Sequence, residues 1–217
     1  MEVAVRCRLP ESVVMTILNF HCTKQRAVLA VDTLAAPLNG DPPRAMSKVV
    51  VLPAQNFVIA GRGFVDLLAS FAAAFQMKGD DLDSAAKEIP DFVPGVLQQT
   101  LARQTTEYSV DRLAGATSMD IVLLGWSKAA GHIVARHFRS DDKECRLTER
   151  KHESLLPAVP GVELGAKPFD RAAMLRAMRA QYRWAKESGH EGGGFGGHMV
   201  YVDIRKDAIS IDSSSAI

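Results

Sequence analysis

From Ala27 to Ala36 the chain reads Ala-Val-Leu-Ala-Val-Asp-Thr-Leu-Ala-Ala, an apolar, β-branched run broken only by Asp32 and Thr33. Such a run predicts a strand buried on at least one face. A carboxylate inside it needs partners, because a buried, unpaired charge is costly. Lys48 opens the next apolar run, Lys48-Val-Val-Val-Leu52, and can supply the positive charge. Such a pairing requires a fold that brings the end of one strand to the start of another.

The other elements follow by pattern. Thr16 to Cys22 predicts a strand, joined to the Ala27 run by the polar turn Thr23-Lys24-Gln25-Arg26. Pro37 to Arg44 is a loop by composition, and Lys48–Leu52 with Asn56–Ala60 predicts a second hairpin. Gly61-Arg62-Gly63 leads into a helix carrying Phe64, Leu67, Leu68, Phe71 and Phe75 at helical spacing. Leu82 to Thr106 predicts a second helical region, capped by Asp81 or Asp83 and kinked or split by Pro90 and Pro94. Met119–Trp126 and His132–Phe138 predict a hairpin that Cys145–Lys151 can extend. Phe169 to Lys186 is the clearest helix, and Met199–Ile204 with Ala208–Ile211 closes the chain as a hairpin. Strands in hairpins and helices in blocks exclude a doubly wound sheet. Helix pairs covering two stacked antiparallel sheets use every element. The expected class is α+β, a four-layer αββα sandwich of two antiparallel sheets between helical layers. Residues 1–15 read as an N-terminal extension or an upstream start, and 16–217 as one domain.

Composition narrows the function. With 26 basic and 25 acidic residues the net charge is +1, which gives no general reason to expect nucleic acid or an anionic membrane as partner. Cys7, Cys22 and Cys145 are odd in number and lack metal-site spacing, as suits a reducing cytoplasm. No apolar run has the length of a membrane span, and Met1–Val14 lacks a signal-peptide core. No cofactor and no metal are expected.

Thr16, Asp32 and Lys48 are equally spaced along the chain. Each has an ordinary reading: a strand threonine, a carboxylate closing a strand, a solvated strand start. Together they form a nucleophile-activating set. A lysine beside a hydroxyl lowers its pKa, a carboxylate holds the lysine, and a free α-amine carries the proton. Met15 directly precedes Thr16, so a chain started at Met15 would lose that methionine to an aminopeptidase and expose the threonine amine.

These residues, with Ala30-Val31-Asp32-Thr33 and with Ile59-Ala60-Gly61 ahead of an apolar helix, resemble the β-type subunits of the proteasome family. The nearest pattern is the bacterial relative that works with an ATP-dependent unfoldase. The resemblance covers most of Thr16 to Ile211 in element order and is most specific up to Phe75. It implies the N-terminal nucleophile hydrolase fold and a homo-oligomeric ring. It also implies a peptide or unfolded-protein substrate and an ATP-dependent unfoldase as partner. In residue terms it implies Thr16 as nucleophile, tuned by Asp32 and Lys48, with the Gly61 amide holding the oxyanion. Such a donor is worth roughly 2.7–4 kcal/mol in hydrolases.

The second half of the pattern departs from the family. Where a Gly-Ser-Gly is usual, the chain has Leu164-Gly165-Ala166-Lys167-Pro168, so Ala166 offers no hydroxyl. The late loop Glu191-Gly192-Gly193-Gly194-Phe195-Gly196-Gly197 has neither the usual aspartate nor the serine, leaving Glu191 or His190 as substitutes. Met15 is not the glycine of self-cleaving precursors, so activity requires a start at Met15 or cleavage by another enzyme. A catalytically inactive, ring-forming homologue is the alternative, and an anion- or nucleotide-binding domain at Gly61–Gly63 a weaker one. Gly192-x-Gly194-x-x-Gly197 follows a helix and precedes a strand, the reverse of a dinucleotide-binding context. His132 and His137, five apart on one strand, face opposite sides and do not make a metal pair. Arg171, Arg176, Arg179 and Arg183 read as a solvated helix face or, in a ring, a subunit contact.

Overall fold

The computed structural model describes residues 16–35, 42–63, 66–79, 81–104, 119–140, 148–150, 155–164, 168–189, 194 and 196–217. The strands are β1 (Leu18–Cys22), β2 (Arg26–Asp32), β3 (Leu34–Ala35), β4 (Arg44–Ala45), β5 (Val49–Leu52), β6 (Phe57–Arg62), β7 (Met119–Ser127), β8 (His132–Ser140), β9 (Thr148–Arg150), β10 (Leu155–Leu156), β11 (His198–Arg205) and β12 (Ala208–Ala216). The helices are α1 (Asp66–Lys78), α2 (Leu82–Gln104) and α3 (Arg171–Glu187). One five-stranded sheet runs β10-β1-β2-β11-β12, a second runs β5-β6-β7-β8-β9, and β3-β4 is a two-stranded ribbon. Every described pairing is antiparallel.

This architecture corrects the expected αββα sandwich with helical layers. The described residues are mostly antiparallel strand, in three sheets, with only three α-helices. Among them a lone helix, α3, covers the outer face of the first sheet, so no helical layer stands there. The expectation treated helical blocks as paired layers. Periodicity shows that a segment is helical but not how many helices share a face.

The hairpins fall where the hydrophobic alternation places them. In β2, Ala27, Leu29 and Val31 point to the second sheet, while Val28 and Ala30 point to α3. The inter-sheet core adds Leu18 and Phe20 from β1, Val58 and Ala60 from β6, and Val122 and Leu124 from β7. On the far face of the second sheet, Leu68, Phe71 and Phe75 of α1 and Leu82, Ala85, Ile89 and Val93 of α2 pack on Ile59, Ile121 and Leu123. Asp81 is the cap of α2: its Oδ1 accepts from Ser84 N at 3.0 Å. The helix runs on through Pro90 and Pro94 and is not split there. Asp83 instead accepts from Ser127 Oγ and Ala129 N, pinning the β7–β8 turn.

The α3 helix starts at Asp170, whose side chain accepts from Ala172 N, and buries Ala173, Met174, Ala177, Met178, Gln181 and Ala185. Gln181 meets Asn19 of β1 through two reciprocal amide bonds, and also donates to Pro157 O. Two of the α3 arginines tie the helix to β12 of the same chain. Arg171 bonds Asp212 and Ser215, and Arg179 donates to Ala216 O. β9 pairs with β8, so the Cys145–Lys151 segment extends the second sheet within its described residues. No described helix is long and apolar enough to cross a membrane.

Candidate active site

Thr16 leads into β1, Asp32 ends β2, Lys48 immediately precedes β5, and Gly61 lies in β6. The chain pairing brings them together. Strand β2 lies beside β1 in a register that pairs Leu18 with Val31, so Asp32 falls level with Ile17. Ile17 N donates to Asp32 Oδ1 at 3.0 Å, and Asp32 N donates to Ile17 O at 3.2 Å. The carboxylate therefore sits one peptide unit from Thr16.

Lys48 reaches the same carboxylate from the second sheet, with Nζ 2.8 Å from Asp32 Oδ1. Both side chains are fully buried. Lys48 Nζ also donates to the carbonyls of Leu34 and Gly194, which occupies all three of its protons. The other carboxylate oxygen, Asp32 Oδ2, accepts from Gly196 N at 3.0 Å. The pair thus meets the condition under which buried charge is tolerated: opposite charge plus hydrogen bonds on the remaining sites. Burial pushes the Asp32 carboxyl up to about 6, against the opposing pull of Lys48 and the two amides. Burial also lowers Lys48, against the opposing effect of Asp32.

Thr16 is buried, and among the described residues its Oγ1 has no hydrogen-bond partner. Most buried hydroxyls find one, and Ser140 Oγ is the other described hydroxyl that does not. Gly61 lies where β6 meets the start of β5. Its amide donates to Lys48 O at 3.2 Å, within the pairing of the β5 and β6 edges. A Cβ at Gly61 would lie 2.7 Å from Leu68 Cδ2, so close packing of α1 on β6 is itself a reason for glycine.

Sequence reasoning missed the contribution of the late loop. The loop has neither an aspartate nor a serine, but Gly194 and Gly196 act through backbone atoms on Lys48 and Asp32. The available signal was the glycine density, since Gly194, Gly196 and Gly197 all have positive φ. Residues 1–15, Ala166, His190, Glu191 and Gly192–Gly193 lie outside the described residues, so the expectations placed on them have no structural counterpart.

A second buried polar group lies on β6, β7 and β8. Asp120 accepts from His137 Nε2 at 2.8 Å and Arg139 Nε at 2.9 Å, and Arg62 lies 3.4 Å away. Burial alone would raise the Asp120 carboxyl, but His137 and the two guanidiniums hold it below the usual range. His137 is fully buried while His132 lies in the β7–β8 turn region, so the two histidines do not meet. Among the described residues no group of three or more His, Cys, Asp or Glu is placed to hold a metal ion. Models of known protein families and curated proteins were compared with the chain, and none matches it.

Proposed function

We propose that this chain is a proteasome-like threonine-type hydrolase, a peptidase whose nucleophile is Thr16 once residues 1–15 are lost. The observation that carries the reading is the buried, unpartnered Thr16 Oγ1 one peptide unit from a fully buried Asp32–Lys48 pair. While Met15 is attached, the Thr16 nitrogen is an amide and cannot act as a base. Freed, the α-amine takes the Oγ1 proton as Oγ1 attacks the scissile carbonyl carbon. That proton passes to the leaving amine as the C–N bond breaks. Water then hydrolyses the threonyl ester and restores the hydroxyl. Lys48 lowers the hydroxyl pKa by its charge, and Asp32 holds Lys48 in place. Ring assembly, an unfolded-protein substrate and an ATP-dependent unfoldase belong to the same proposal.

The test is the mass of the mature N-terminus together with labelling by a threonine-directed electrophile. A chain beginning at Thr16 that takes one label, and a Thr16→Ala chain that takes none, are the expected results. A chain that retains Met1 and takes no label rejects the reading, as does unchanged peptide hydrolysis by Thr16→Ala.

Two observations favour a catalytically inactive ring-forming protein as the second reading. Lys48 has no proton left for Thr16 Oγ1, and the Gly61 amide is committed to Lys48 O. On that reading the pair only joins the two sheets. Peptide hydrolysis by a chain trimmed to Thr16 separates the two, since the inactive protein gains nothing from trimming.

A further inference from the structure

The glycine loop ahead of β11 makes backbone contact with both charges of the candidate site. Gly196 N–H donates to Asp32 Oδ2 at 3.0 Å, and Gly194 O accepts from Lys48 Nζ at 3.3 Å. The loop is fixed in turn by the segment that follows Asp32. Thr33 N and Leu34 N both donate to Gly196 O, at 3.3 and 3.1 Å, and His198 N donates to Thr33 Oγ1 at 2.9 Å. Ile217 N holds the same loop from the other side, donating to Gly197 O at 3.0 Å. The approach depends on missing side chains. At Gly197, with φ of 79°, a Cβ would lie 2.7 Å from Thr33 Oγ1 and 3.3 Å from Leu34 N. At Gly196, with φ of 104°, it would lie 3.2 Å from the Tyr182 ring.

We infer that Gly194, Gly196 and Gly197 are positioning residues: a backbone clamp that holds Asp32 ionised and keeps Lys48 directed at it. A protein amide is a fixed donor, so it stabilises the carboxylate without adding a charge. Because Thr33 and His198 anchor the clamp, its reach to Asp32 is set by the spacing between the end of β2 and the start of β11.

The inference rests on the hydrolase reading for its consequence on rate, but its electrostatic part is measured separately. The experiment is the titration of the Asp32 carboxyl carbon by NMR in the full chain, for wild type, Gly197→Ala and Thr33→Ala. Gly197→Ala pushes the loop off Thr33, and Thr33→Ala removes the loop's side-chain anchor, the Oγ1 bond to His198 N, without adding bulk. Loss of the Gly196 donor raises the Asp32 midpoint by roughly half to one pH unit. In the Thr16-initiated chain, the acidic limb of peptide hydrolysis moves up with it, and kcat falls while KM holds. Thr33→Ala decides the matter if Gly197→Ala does not fold. An unchanged Asp32 midpoint in a folded variant overturns the clamp. A raised midpoint in a chain whose Thr16 takes no electrophile upholds the clamp and rejects the hydrolase.

Discussion

At the scale of single residues, the Asp32–Lys48 pair is where stability and chemistry meet. Removing one member of a buried pair leaves a charge without its counter-ion and costs about 3–5 kcal/mol. Lys48→Met should therefore destabilise the chain by about that much at pH 7, measured by urea unfolding. It should also raise the Asp32 carboxyl above its present value of about 6, because Lys48 is the main influence holding it down. The double variant Asp32→Asn/Lys48→Met should recover most of the stability, since no charge is left stranded. Neither should hydrolyse peptides, with a loss on the order of 10²–10⁴-fold. Equal destabilisation of single and double variants would show that packing, not charge, dominates the site.

At the scale of elements, Gly61 has two competing explanations, and a variant separates them. Gly61→Ala drives a methyl into Leu68, whose flexible end must shift. The expected cost is about 1–3 kcal/mol. Adding Leu68→Val should restore stability if packing of α1 on β6 is the reason for the glycine. Peptide hydrolysis that stays lost in that folded double variant would point to the Gly61 backbone. The buried amide pair gives a cleaner case on the other sheet. Gln181→Leu strands Asn19 beneath α3, and thermal unfolding should register about 1–3 kcal/mol.

What the sequence made legible divides along the same line. The hairpins and helices follow from side-chain alternation, and Asp32 was detectable because it breaks an apolar strand. The Lys48 contact was inferable because the next apolar run opens on that cation. The arrangement of helices was not legible, because amphipathic segments do not state which sheet they cover. The clamp was not legible either, because Gly194 and Gly196 act through atoms common to every residue. Asn19 and Gln181 are ordinary polar residues in sequence, 162 positions apart, and only the fold pairs them.

At the scale of the whole molecule, the polar links that join the two five-stranded sheets include two of different kind. One is the Asp32–Lys48 pair, fully buried. The other is exposed: Asn56 Nδ2 donates to Lys206 O, and the Lys206 ammonium lies 5.0 Å from the Trp126 ring. Exposed links of that kind are worth about 0.5–1 kcal/mol, so Lys206→Ala should change stability little. The buried link should instead impose a pH dependence on the whole fold. The Asp32 carboxyl titrates at about 6 in the folded chain, against 3.8 for an ordinary aspartate. Between those values the folded state holds more protons than the unfolded state, so stability falls as pH rises through the window. The contribution is fully present below the ordinary value and lost above about pH 6, and amounts to on the order of 3 kcal/mol. Other carboxylates titrate in the same range, so the measurement is the difference between wild type and Asp32→Asn. Asp32→Asn strands the Lys48 ammonium and is destabilised by it at every pH, but its stability relative to wild type should rise between pH 4 and pH 7, because it has no carboxylate to ionise. A difference that stays flat across that range would mean that Lys48 and the glycine loop fully compensate the burial of Asp32.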